Sequence, residues 1–342
     1  MKHVAEQRRT VMHATTRPPT TQATMPTARG PLSERLIDAL THGTPIGTVR
    51  EVADADPYGD DLQLALYTAY ELHYAGFVGV DDDREWDPDI LAFRRELERA
   101  FVAAVRDDVD ALGEPGSAAH EMAELSTEPV DGDGASFHLR DNGTWEQFGD
   151  YFRMRSLYHL KEADPHAWAI PRLRRTSKAA FVAVEFDEFG GGRGDAVHQE
   201  LYADLLDAAG LDSTNLGYLD AAPGWALAPV NLMSCFGLHR ALRGATVGHL
   251  AATEITSSPG SARLLVGLER LDAPEPCRHF YREHIEADAV HEQVLRTDVV
   301  GELVATEPEL ESDIVFGIRG FLVVEDAFDR GLQSGWGTVS AP

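Results

Sequence analysis

Residues Tyr281 to Val294 read YREHIEADAVHEQV, and within them His284, Asp288 and His291 stand at i, i+4 and i+7. An α-helix turns about 100° per residue, so these positions share one stripe, each about a turn from the next. Two imidazoles and a carboxylate on one stripe make half of a metal site. Mixed nitrogen and oxygen donors suit iron, manganese or zinc better than calcium or magnesium. The competing reading is a solvated face, because Glu283, Glu286 and Glu292 make the segment polar all round. Metal sites in helical bundles draw carboxylates and histidines from several facing helices, and the chain offers more of them. Glu254 lies in the apolar stretch HLAATEIT, where an unpaired buried carboxylate is costly. Glu188 ends AAFVAVEFDEF just before Gly190-Gly191-Gly192, and His198 opens the next helix. Glu162, in YHLKEADPHAW, is a further candidate.

The elements that must position these residues are helical throughout. Pro31 to Leu40 is amphipathic with a 3.6-residue period, and longer helices are expected over Asp60–Gly76 and Pro88–Val109. Gly113 to Gly143 reads as a loop around a short helix near Ala118–Leu125. Helices follow over Thr144–Leu160, with an extension toward Pro165 open, then Pro171–Phe189 and Asp195–Gly210. Asp195 reads equally as the cap of the last of these or as a carboxylate near a metal rim. Ala228 to Ser257 reads as one long apolar helix, kinked near Gly244 or Gly248, ended by a Ser-Ser-Pro-Gly turn. Ala262–Leu271, the His284 helix and Asp313–Gly331 complete the chain. Strand signals are nearly absent, so the fold class is all-α, a helical bundle.

Thirty basic residues against 57 acidic ones give a net charge of −27. That argues against nucleic-acid partners and anionic membrane surfaces. No run of 18 apolar residues occurs, so no membrane span is expected. Two cysteines, Cys235 and Cys277, are too few for a disulfide framework, and a reducing cytoplasm fits. Residues 1–30 are rich in Thr, Pro, Arg and Ala and read as a disordered basic tail, with no apolar stretch after Arg8-Arg9 to make an export signal. Residues 31–342 form a single domain, in which 31–112 are the helical N-terminal part and 144–331 the metal-binding core.

Taken in order, these residues resemble the haem-oxygenase-like diiron oxidases and oxygenases, a family of iron-containing redox enzymes. Its motif has a Glu and a His flanking one helix junction, a Glu on a later helix, and a final His-x3-Asp-x2-His helix. Glu188, His198 and Glu254 match the first three, and His284, Asp288 and His291 match the last. The resemblance covers roughly residues 60 to 330. It implies a haem-oxygenase-like bundle around two Fe(II)/Fe(III) ions, with O2 as co-substrate and an external reductant as electron donor. It further implies one iron on Glu188 and His198 and the other on His284 and Asp288, with Glu254 and His291 completing the pair. Haem itself does not suit three histidines and three acids converging on one point.

The family divides by what its diferric peroxide attacks. Some members N-oxygenate amines or guanidines; others attack C–H bonds in desaturation, decarboxylation or fragmentation of amino or fatty acids. Glu162 lies 26 residues before Glu188, where the N-oxygenating members carry an additional Glu ligand. The resemblance therefore implies an N-oxygenase acting on a small-molecule amine in specialised metabolism, working as a cytoplasmic homodimer. Carbon oxidation and non-catalytic iron binding remain the alternatives. A surface position beside Lys161 and Asp164 is the competing reading of Glu162.

The other polar residues divide by spacing. His159 and His166 flank Glu162 and are expected to orient it by hydrogen bonds. His249 and His239 read as core or structural groups, and Tyr158 and Tyr281 as helix-packing or pocket-lining residues. Glu71 and His73 are two apart and point about 200° from each other on a helix, so packing roles are expected for them.

Overall fold

The computed structural model describes residues 22–47, 51–127 and 129–337, with the side chains of Asp288 and Ala289 outside that description. The described residues form α1 (Pro31–His42), α2 (Asp60–Glu71), α3 (Pro88–Ala111), α4 (Ala118–Leu125), α5 (Ala135–Asp141), α6 (Trp145–His159) and α7 (Asp164–Ala167). They continue as α8 (Arg175–Glu188), α9 (His198–Ala208), α10 (Gly224–Leu238), α11 (Arg243–Arg270), α12 (Glu275–Val294), α13 (Glu302–Thr306) and α14 (Glu311–Trp336). Among them the only extended pairing is an isolated bridge between Ala23 and Phe77, and the fold is all-α as expected.

Of the tail expected over residues 1–30, residues 1–21 lie outside the described residues. Residues 22–30 run along the body. The Thr27 amide donates to Asp220 at 2.7 Å, and the Arg29 guanidinium donates to the carbonyls of Leu219 and Ala222 at 2.6 and 2.5 Å. Asp61 then accepts from the amides of Leu32 and Ser33 at the start of α1, where the helix has unpaired donors. Leu36, Leu66, Phe93 and Phe101 join α1, α2 and α3 in one apolar cluster.

The functional half is built around α11, which packs most extensively on α12 and α14. A Cβ at Gly248 would lie 2.0 Å from the Ile314 carbonyl oxygen, and one at Gly317 would lie 2.1 Å from that of Ala245. The two backbones touch there, so glycine serves close approach rather than the kink expected near Gly248. The break in the expected Ala228–Ser257 helix falls earlier, at His239–Leu242. Arg172 accounts for it: its guanidinium takes the carbonyls of Gly237 and Leu238 at the end of α10, while His239 turns to Glu98 at 2.9 Å. The Ser-Ser-Pro-Gly sequence is not a turn. α11 runs through Pro259, forgoing the hydrogen bond to Ile255 because burial between two helices outweighs its loss.

Other boundaries are local. Thr144 and Gln147 cap α6 reciprocally, and the helix stops at His159 instead of continuing toward Pro165. α8 ends at three glycines, all with positive φ; at Gly190 (φ 72°) a Cβ would also meet Ala196 at 2.6 Å. α9 begins at His198 itself, with Val197 as its flanking residue, so exposed Asp195 is not its cap. α5 lies in what reads as loop, and α12 passes into a widened π-helical turn, Leu295–Gly301.

Candidate metal centre

Glu188 is the last residue of α8 and His198 the first of α9, so the glycine reversal turns their side chains toward each other. His198 Nδ1 lies 2.8 Å from Glu188 Oε2. The other Glu188 oxygen, Oε1, is 3.5 Å from His291 Nδ1 on α12, which is also 3.0 Å from Glu254 Oε2 on α11. Glu162 stands on the turn after α6, followed by Ala163 at φ 71°. Its Oε2 is 3.6 Å from His284 Nε2, and the His284 ring lies 4.5 Å from that of His198.

Three sets of potential ligand atoms therefore fall within 4.8 Å of one another: Glu162, Glu188 and His198; Glu188, Glu254 and His291; and His159, Glu162 and His284. Glu188 belongs to two of them. All six expected residues with described side chains converge, and all are buried. The Asp288 side chain lies outside the described residues; its place on α12 is one turn from His284 and one from His291. His284 lies on the part of the cluster nearest Glu162 and His198.

Neighbours orient these groups. His284 Nδ1–H donates to the Phe280 carbonyl at 2.8 Å, which leaves the Nε2 lone pair facing Glu162. His291 Nε2 is 3.3 Å from Asp187 Oδ2, leaving Nδ1 toward Glu188 and Glu254. His159 Nδ1 lies 3.1 Å from both Glu162 oxygens. Burial alone would raise the Glu162 carboxyl, but His159 and His284 hold it well below the usual carboxylate range. Burial lowers the basicity of His159, so a neutral ring donates to an ionised carboxylate. Asp187 escapes sequence reasoning, since nothing in its spacing separates it from other acids of α8.

A cavity of about 260 Å³ adjoins the cluster, lined by His159, Glu162 and His284 and also by Tyr158 and Tyr281. The remaining residues singled out in the sequence lie elsewhere. His166 and His249 face each other at 3.0 Å in the core; burial pushes the first down to about 3 and the second well below its ordinary value. Glu71 pairs with Lys161, and His73 with Glu85 at 2.9 Å. Glu98, Cys235 and His239 also approach one another, but Glu98 is taken by Arg94 and the Tyr70 hydroxyl, both at 3.0 Å.

The donor set fits iron. Buried carboxylates and imidazoles supply mixed oxygen and nitrogen ligands, one carboxylate presents its two oxygens to different histidines, and a protein interior tolerates such grouped acids when a cation or hydrogen bonds compensate them. Among the described residues no helix is long and apolar enough to cross a membrane. No curated protein matches the chain. A family model described as iron-containing redox enzyme matches residues 149–326, just over half of it. That match runs from within α6 to within α14 and takes in every segment that reaches the buried cluster, and the chain belongs to the iron-containing redox enzymes.

Proposed function

We propose that this protein is a non-haem diiron oxygenase that N-oxygenates a small amine or guanidine. The observation that carries the dinuclear reading is Glu188, whose two oxygens face His198 and His291 in opposite halves of the cluster. Glu162, His198 and His284 would hold one ion and Glu254 and His291 the other, with Glu188 between them and Asp288 joining from α12. When bound, two ferrous ions together supply the two electrons that O2 takes up.

The chain's own residues set the conditions. Phe280 and Asp187 fix which imidazole nitrogen faces the cluster, so no reorientation is needed when metal arrives. Burial keeps bulk water from competing with an amine for the oxidant. Glu162 supports the N-oxygenase branch: it is buried beside His284, and a surface role does not explain that. Conversion of an amine to a hydroxylamine consumes one O2, two electrons from an external reductant and two protons, and releases one water. The cavity beside Glu162 and His284 is where the amine would stand.

The test is anaerobic loading with Fe(II), an iron count, and rapid mixing with O2 in the presence of candidate amines, with products read by mass. Two irons per chain and an added oxygen on nitrogen are expected. Oxidation at carbon would remove the N-oxygenase reading, and failure to take up iron would remove the diiron reading.

A further inference from the structure

At the end of α8 remote from Glu188, the local charge runs against that of the chain. A cavity of about 720 Å³ opens there between the first turn of α8, the His239–Leu242 bend and α13. In a protein of net charge −27 its lining carries Arg172, Arg174, Arg175, Arg240 and Arg243. Glu307 neutralises Arg243 at 2.7 Å. Arg172 donates to the carbonyls that end α10 yet keeps its charge; burial, and then neighbouring Arg240, lower it from its ordinary value. The side chains of Arg174, Arg175 and Arg240 are exposed and have no ion-pair partner among the described residues. Glu302 is the one acid left to set against them. The start of α8 sharpens this imbalance. A helix N-terminus favours negative charge, because its first amides lack partners. Here the flanking Arg174 side chain caps nothing, and the first turn holds no acid. Arg175 takes φ 49°, a left-handed value that is costly for a residue with a side chain. Ser177 lines the same cavity and is 2% exposed, and its hydroxyl makes no hydrogen bond among the described residues. A buried hydroxyl in that state is costly unless a ligand or water completes it.

We propose that this cavity binds the phosphate monoester end of a small phosphorylated molecule, held by the Ser177 hydroxyl and the first amides of α8 between Arg174, Arg175 and Arg240. Such a phosphate carries a charge of about −1.5 to −2 and three acceptor oxygens, which suits several donors converging on one point. A carboxylate brings one charge and two oxygens, and leaves arginines unmatched. Polyanions do not suit the site. The acidic surface repels nucleic acid or an acidic protein at every other contact, whereas one phosphate meets only charges within a Debye length, about 8 Å. The volume lies within the range of small-molecule pockets, roughly 300–1,000 Å³, so a nucleotide-sized body has room beside the phosphate. α8 has 14 residues, which sets the phosphate ~20 Å from Glu188. No residue lines both this cavity and the one beside Glu162, so the phosphorylated molecule is a second ligand, distinct from the amine. Nucleotides, flavin mononucleotide and sugar phosphates share this chemistry, and the measurement separates them.

The experiment is calorimetric titration of the full chain, iron-free and again after Fe(II) loading under nitrogen. The probes are inorganic phosphate and three pairs: AMP and adenosine, flavin mononucleotide and riboflavin, glucose 6-phosphate and glucose. At least one phosphorylated member should bind the iron-free chain with a Kd below about 1 mM, and about tenfold or more tighter than its dephosphorylated partner. The pair that does so names the body of the ligand. Arg174→Gln and Arg240→Gln should each weaken that binding about tenfold, and Ser177→Ala about threefold. Arg174→Gln should also raise the thermal midpoint of the phosphate-free protein, since it removes a positive charge from a helix N-terminus; a lost site is thereby told from a lost fold. Equal binding within every pair, wild-type affinity in both arginine variants, or tighter binding of polyglutamate than of any monophosphate would overturn the proposal. So would phosphate binding that appears only after iron loading and persists in all three variants, because that phosphate sits on the metal. None of these readouts uses oxygenase activity. Arginine-dependent binding of a monophosphate in a chain that takes up no iron would uphold this site and sink the diiron reading alone.

Discussion

Asp187→Ala is the most informative single change. Asp187 Oδ2 stands 3.3 Å from His291 Nε2, while the other nitrogen of that ring faces Glu254 at 3.0 Å and Glu188 at 3.5 Å. The carboxylate holds the ring proton on Nε2 and so keeps the lone pair on the cluster side. Losing such an outer partner typically costs ~10–100-fold in metal affinity. The Asp187 side chain is 58% exposed, so water replaces part of the interaction and the lower end applies. A tenfold loss is about 1.4 kcal/mol. The assay is competition of the Fe(II)-loaded protein with a coloured chelator under nitrogen. One iron per chain should leave at about tenfold lower chelator than in wild type, while the iron beside Glu162, His198 and His284 is retained. Asp187→Asn should fall between the two, because the amide oxygen still accepts. Thermal unfolding should hardly move, since this is a surface position. Equal weakening of both irons, or of neither, would refute the orienting role.

Further outcomes follow from the same geometry. Glu254→Ala and His284→Ala each remove a buried donor, so anaerobic iron counts should fall by at least one per chain; wild-type counts would release these residues from the centre. Glu162→Ala should keep part of its iron yet slow amine oxidation by more than the iron loss explains, and unchanged turnover per iron would return Glu162 to a structural role. Gly248→Ala drives a methyl to 2.0 Å from the Ile314 carbonyl, and chemical denaturation should show a loss of about 3 kcal/mol, at the upper end for overpacking. Asp329 is raised by burial from 3.8 to about 6, so the stability tied to its protonated form is full below pH 4 and lost as pH rises through 6. Asp329→Asn should therefore match wild type near pH 4 and exceed it by up to about 3 kcal/mol at pH 7.5, read by urea unfolding.

What was legible in the sequence is what short-range physics determines. The helices expected over Pro88–Val109 and Thr144–Leu160 are found as α3 (Pro88–Ala111) and α6 (Trp145–His159). The His284–Asp288–His291 stripe announces α12 because its period is that of a helix. The glycine run after Glu188 marks a reversal, and that reversal brings Glu188 and His198 together. The illegible parts depend on partners remote in the chain. The end of α10 is set by Arg172, 65 residues from the carbonyl it takes. Pro259 resembles a turn, and only packing between α12 and α14 keeps it helical. α10 and much of α11 are buried on all sides, so no polar face marks where one ends and the other begins. The Arg155–Glu325 pair joins positions 170 residues apart, and neither residue carries a local signal.

The glycine contacts between α11 and α14 fix a spacing within the bundle. Gly248 against Ile314 and Gly317 against Ala245 press backbone to backbone, so neither helix slides without lifting clear of the other. Glu254 rides on one of these helices, and Glu325 and Asp329 ride on the other. The separation between the acid of α11 and those of α14 is thereby set by main chain, not by adaptable side chains. The pair of helices acts as a caliper that fixes how far Glu254 stands from Glu325 and Asp329.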